Sequence, residues 1–242
     1  MRPLLRWLVL VLVALLALQL FFVLRIALMA TVAPQSTAFE RSEAWRILQD
    51  SGQLRWRHQW VDYDDISDHL KRAVISSEDD GFSYHDGVDW DALEKAWQQN
   101  AKTEALTSQN MANGAKAKPP KIVGGSTITQ QLAKNLFLSG ERTLLRKGQE
   151  FVLTYMLEFV LDKRRILELY LNHVEWGEGI FGAEAASRHY FRKSAAKLST
   201  LEAARLAVML PRPKYYEKLP NSSYLAERSA VIAQRLWRAE LP

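Results

Sequence analysis

Three groups of residues have the types and spacing to act on a hydroxylated or charged ligand. The first is the run Glu78-Asp79-Asp80-Gly81-Phe82-Ser83-Tyr84-His85-Asp86-Gly87-Val88-Asp89. Glu78 follows an apolar stretch (Leu70, Ala73, Val74, Ile75), where a packed helix gives way to a glycine-containing loop. A carboxylate there is partly desolvated, and its pKa rises towards the range useful to a general base. The same composition also makes a solvated acidic loop or a divalent-ion loop, although the EF-hand spacing is absent. The second group is Gly124-Gly125-Ser126-Thr127-Ile128-Thr129-Gln130-Gln131, continued by Lys134 and Asn135. Glycines ahead of a helix start leave N–H groups for an anion, and five hydroxyls and amides in one turn suit a sugar or phosphate. A well-capped structural helix has the same features, and the Walker A frame is missing. The third group is Arg142, Arg146, Lys147 and Glu150. Arg146 and Glu150 stand four apart, a helix ion pair worth about 0.3–0.5 kcal/mol. The alternative is a cationic face, shared with Lys134, for a diphosphate leaving group, with Glu150 orienting the cations or holding a metal.

The elements that must carry these groups read as helices. Thr127 and Gln130 form a capping box, and Ile128, Leu132 and Leu136 repeat at helical spacing until Gly140. The pattern predicts a helix from about Thr143 to Leu161, packing through Phe151, Val152, Tyr155, Phe159 and Val160, and another around Arg164–Leu171. Gly177, Gly179 and Gly182 make a tight loop before a helix at Ala183–Phe191. Ser199 and Glu202 cap a further helix that Pro211 ends, and Ser222 or Ser223 starts the last. No alternating strand pattern of useful length occurs, so the fold expected is mainly α.

The N-terminus is different in kind. Trp7–Leu24 is broken only by Gln19, and Ile26–Ala33 continues after Arg25, which fits one transmembrane helix. Arg2 and Arg6 place its start in the cytoplasm by the positive-inside rule. A cleaved signal peptide is the competing reading; the absence of an A-x-A site and Pro34 directly after Ala33 count against it. The organisation expected is an anchor over 1–33, a membrane-proximal segment over 34–61, and a catalytic domain over 62–242 with a mobile insertion at 100–121. Cysteine is absent, which excludes thiol nucleophiles, iron–sulfur clusters and disulfides. The five histidines show no metal-ligand spacing, so zinc is not expected. Ser194-x-x-Lys197 lacks the partner motifs of a serine–lysine nucleophile. The formal net charge is +5, yet from Pro34 onward 29 basic face 27 acidic residues, too weak a footprint for nucleic acid.

Taken in order, Glu78-Asp79-x-x-Phe82-x-x-His85-x-Gly87-x-Asp89, GGSTITQQLAKNLFL, Arg142-Thr143-x-x-Arg146-Lys147-x-x-Glu150 and ILELYLN at Ile166–Asn172 resemble the successive motifs of the peptidoglycan glycosyltransferases, glycosyltransferase family 51. The resemblance spans roughly Asp64 to Met209 and looks like the stand-alone, monofunctional branch. It implies a lysozyme-like helical domain that polymerises lipid II at the bacterial inner membrane, with the catalytic domain on the periplasmic face. By position, Glu78 matches the general base and Glu150 the second glutamate. Lys134 and Arg142 match cations on the donor diphosphate, and Ser126, Thr127, Thr129, Gln130, Gln131 and Asn135 the substrate-lining motif. Asp79, Phe82, His85, Arg146, Lys147 and Glu168 match supports of site geometry. A divalent cation (Mg or Mn) at Glu150 is implied as an option, an organic cofactor is not, and cell-division or elongation proteins are candidate partners. Two departures are Lys95-Ala96 in place of Arg-Ala, and Gln149 where some members carry a lysine. A lysozyme-like glycan-cleaving enzyme, or a catalytically inactive membrane-anchored assembly protein, stays open beside this reading.

Overall fold

The computed structural model describes residues 3–112, 124–138 and 143–242. The chain opens with α1 (Pro3–Met29), long and apolar enough to cross a membrane. It continues through α2 (Ala38–Ser51), β1 (Arg57–His58), α3 (Asp68–Glu78), α4 (Trp90–Ala112), α5 (Ile128–Phe137), α6 (Leu144–Val160) and α7 (Lys163–His173). A turn of β2 (Glu175–Gly177) and β3 (Ile180–Phe181) leads to α8 (Ala183–Phe191), α9 (Thr200–Met209), α10 (Pro213–Glu217) and α11 (Ser223–Arg235).

Helix starts coincide with side chains able to take up free N–H groups. Thr127 accepts from Gln130 N while the Gln130 side chain accepts from Thr127 N, the reciprocal box read in the sequence. Ser199 and Glu202 do the same for α9. Thr143 accepts from Arg146 N at the start of α6, and Asp162 from Arg165 N at the start of α7. The core then closes in two packed groups. α9 lies between α3 and α11; α5 lies against α6, α7 and α2. Ile128, Leu132 and Leu136 of α5 meet Ile166, Leu167 and Tyr170 of α7 in one continuous apolar cluster with Leu153 and Leu157 of α6.

Two expectations change. The α6 interior face is rotated from the one expected: Glu150, Leu153, Thr154 and Leu157 are buried, while Val152, Tyr155 and Phe159 are exposed, Phe159 at 92%. Apolar residues nearly surround this helix, so its period could not select a face. The second change is a small sheet in the order β1-β3-β2, β1 parallel and β2 antiparallel to β3. Strands of two or three residues are too short to alternate. They exist because Gly179, at φ 72°, lets the chain pass Arg55, whose carbonyl oxygen would lie 2.2 Å from any Cβ there. Of the insertion expected at 100–121, Asn100–Ala112 continues α4, and 113–121 lie outside the described residues.

The C-terminal end of α1 is part of this core. Ile26 and Met29 are buried in it, and Arg165 Nε donates to the Met29 carbonyl at 2.7 Å. A groove of about 750 Å³ between α1 and α6 is lined by Val23, Val152, Tyr155, Met156 and Phe159 among others.

Candidate active site

Glu78 is the last residue of α3, and the loop that follows is stapled to the start of α5. Asp79, buried, takes the Ile128 N–H on Oδ2 at 2.9 Å and His85 Nε2 on Oδ1 at 2.8 Å. His85 Nδ1 accepts from Gly87 N at 3.1 Å, so the imidazole proton sits on Nε2 and points at Asp79. Thr127 Oγ1 donates to the Gly87 carbonyl at 2.6 Å. Phe82 is fully buried beneath Lys163, whose ammonium bonds to the His85 carbonyl and to Glu158. These contacts fix the exit of α3 relative to the N-terminus of α5.

The Glu78 carboxylate faces that terminus. Gln131 Nε2 donates to Glu78 Oε2 at 3.1 Å, and Gln131 Oε1 accepts from Tyr170 OH at 3.0 Å. The amide is thereby held in one orientation. Burial, seconded by the nearby Asp79 charge, raises the Glu78 pKa above the usual carboxylate range against the opposing Gln131 bond. Burial also holds the Tyr170 phenol well above its ordinary value, so Tyr170 remains a donor. A cleft of about 290 Å³ opens here, with Glu78, Asp89, Ser126, Thr127 and Arg235 among its walls. Gly125 forms one wall by passing close to α4, where a Cβ would lie 3.1 Å from Leu93 Cα.

The remaining residues expected at the site divide by position. Thr129 is fully buried and donates to Glu158 at 2.6 Å; Gln130 is buried in its capping box with Nε2 left without a partner. Lys134 and Asn135 follow on the last turn of α5, half-buried and buried. Glu150 is buried on α6 between Arg146 Nη1, at 3.3 Å, and Lys147 Nζ. Glu168 is placed elsewhere, accepting from Tyr63 N at 2.7 Å and pairing with Arg165. Arg142 lies outside the described residues. Both Glu150 oxygens face cations, surroundings that repel a divalent ion, so these residues do not fit a metal.

Among the described residues one three-member set of ligand-type groups occurs, Glu40, His58 and His173. The imidazole planes are stacked within 10° of parallel at 5.2 Å, so their in-plane lone pairs cannot converge on one ion. Glu40 already binds Thr37 N and His173 Nδ1, and burial lowers the His58 pKa. This set fastens α2 to α7. Two residues at the cleft went unread in the sequence. Tyr170 stood out only as packing, although it lies in the ILELYLN string. Arg235, which donates to the Ser76 carbonyl at 2.8 Å, lies 157 residues beyond Glu78 and gave no local signal.

One helical frame thus carries a desolvated carboxylate, an amide-rich helix start and a cationic second group, and the chain's relatives give the class of enzyme that uses it. The chain belongs to the transglycosylase family, glycosyltransferases whose family model matches residues 46–237. It is 52% identical over 244 residues to the biosynthetic peptidoglycan transglycosylase of Herminiimonas arsenicoxydans, covering 100% of this chain and 99% of that one. It is 52% identical over 227 residues to the protein of the same name from Burkholderia orbicola (strain MC0-3), covering 94% and 86%. With that from Janthinobacterium sp. (strain Marseille) the identity is 51% over 243 residues. The helical domain is accordingly of the lysozyme-like type.

Proposed function

We propose that this protein polymerises peptidoglycan glycan chains from lipid-linked precursors. Glu78 removes the proton from the 4-hydroxyl of lipid II, and that oxygen attacks the anomeric carbon of the growing chain. The bond from that carbon to the diphosphate breaks with inversion, and undecaprenyl diphosphate leaves with the bonding pair. Lys134 and Arg142 stabilise charge that grows on the diphosphate in the transition state, with Arg146 and Lys147 as supports. Ser126, Gln131 and Asn135 orient the sugars; Thr127, Thr129 and Gln130 hold the frame from within. The observation that carries this reading is the Glu78 carboxylate, desolvated and held by Gln131 at the cleft. The raised pKa makes it a stronger base than an exposed carboxylate.

The apolar α1 anchors the protein in the inner membrane, with Arg2 and Arg6 on the cytoplasmic side and the catalytic domain on the periplasmic face. Confinement to the surface that holds polyprenyl-linked substrates raises their effective concentration. The test is incubation of detergent-solubilised protein with labelled lipid II, sizing products before and after muramidase. Muramidase-sensitive polymer that vanishes in Glu78→Gln is expected. Cleavage of preformed glycan without polymerisation, or full activity in Glu78→Gln, would refute the proposal.

A further inference from the structure

Gln19 is the one polar residue between Trp7 and Leu24, and it is half-buried against the domain. Its Nε2 donates to Gln149 Oε1, and Gln149 Nε2 donates back to Gln19 Oε1, each at 3.3 Å. The two residues are 130 positions apart, and Gln149 directly precedes Glu150. The same face of α1 continues the contact. Phe22 stands edge-on to Phe137, the last residue of α5, with ring centres 5.3 Å apart. Ile26 is fully buried in the core, and the Met29 carbonyl is taken by Arg165. Residues 19, 22, 26 and 29 recur at helical spacing, so α1 docks along a seam rather than hanging from a flexible link.

We propose that this seam makes α1 part of the active centre, with Gln19 and Gln149 as positioning residues for Glu150. The inference rests on the roles proposed above for Glu150 and Lys134. In the first turn of α6, Leu144 and Leu145 are 92% and 88% exposed, and beyond it the helix is held between α5 and α1. Burying Glu150 turns Gln149 outward by about 100° around the helix, onto α1. In surroundings with little water an amide has few alternative partners, so a reciprocal pair selects one rotation and one height of α1 against α6. The seam thereby sets α6 relative to α5, which carries Lys134. A helix that served only as a tether would change substrate capture; one that sets Glu150 changes turnover.

The test compares full-length Gln19→Leu, Gln149→Leu and the double variant on lipid II in liposomes. Leucine is more apolar than glutamine, so insertion is retained. Each single variant is expected to lower kcat about threefold to tenfold, with KM within about twofold. The double variant is expected to lose no more than either single. Unchanged kcat, a rise in KM alone, or losses that multiply in the double variant would overturn the proposal; the last would mean that Gln149 touches substrate independently. The contact has a readout apart from activity, because the chain has no cysteine. Gln19→Cys with Gln149→Cys should be joined by a short bifunctional maleimide in membranes, and each single substitution should not. Failure to cross-link overturns the seam. A wild type that makes no polymer refutes the proposed function instead, and the cross-link still decides the contact.

Discussion

Replacing Asp79 by Asn tests how the site is held and how its base is tuned. Asp79 accepts two hydrogen bonds, from Ile128 N and His85 Nε2, and is 7% exposed. An Asn side chain has one oxygen, so it can accept only one of them, and its NH2 group meets a donor at the other. His85 cannot relieve the clash by shifting its proton, because its Nδ1 is taken by Gly87 N. One buried donor left unpaired costs about 1–3 kcal/mol, and exchanging a charged for a neutral acceptor at a helix N-terminus costs about 1 more. The expected loss is about 3 kcal/mol, or on the order of 10 °C in Tm for a chain of this size. A second effect has the opposite consequence for the base. Burial is the first cause of the raised Glu78 pKa and the Asp79 charge reinforces it, so Asp79→Asn should move that pKa back down. Glu78 must be deprotonated to act, so the rise of activity with pH should occur at lower pH in the variant. The assay is lipid II polymerisation from pH 4.5 to 8, with thermal unfolding followed in the same detergent. A rise that stays in place or moves to higher pH, or a stability loss below about 1 kcal/mol, would refute the reasoning.

Glu150→Gln leaves Arg146 and Lys147 facing each other without their shared counter-charge; turnover should fall, with about 2–3 kcal/mol lost in denaturant unfolding. Gly87→Ala places a Cβ 2.7 Å from Thr154 Cγ2 and 2.8 Å from Glu158 Cγ at φ 87°, and should destabilise by about 2–4 kcal/mol. Gly148→Ala, with nothing within 4 Å, should stabilise α6 by about 0.5–1 kcal/mol, and the two variants can be scored in one unfolding experiment. Burial pushes the Glu175 carboxyl up to about 7 from 4.5, so the folded chain holds a proton the unfolded chain releases, and stability falls as pH rises through that window. Glu175→Gln should match the wild type near pH 4 and exceed it at pH 8 by up to about 3 kcal/mol; a difference independent of pH would contradict this.

What the sequence made legible is what neighbours along the chain decide. Thr127 with Gln130 and Ser199 with Glu202 announce helix starts because a cap and its partner lie three residues apart. Glu78 could be placed at a helix end because the apolar run before it and the glycine after it are local. The face of α6 was not legible, since Phe151, Val152, Tyr155 and Phe159 are as apolar as the leucines actually buried; α1 stands beside this helix, and nothing near residue 150 announces it. Glu40 read only as part of the membrane-proximal segment, yet it is fully buried and bonded to His173, 133 residues away. Tyr170 and Arg235 reach the site through pairings of the same long-range kind.

The docking of the end of α1 also sets a depth. Pro3–Val23, the stretch before Ile26 enters the core, is about 32 Å long at 1.5 Å per residue, close to the roughly 30 Å of a bilayer interior. Nothing slack separates that span from the enzyme. With α1 placed across a bilayer as proposed, Gln19 lies about 6 Å inside the hydrocarbon boundary on the enzyme's side, and Gln149 stands beside it. The exposed Val152, Tyr155 and Phe159 follow on the side of α6 that borders α1. On the function proposed above, this would keep Glu150, one residue from Gln149, close to the membrane boundary, where a substrate with its chain still in the bilayer presents its diphosphate.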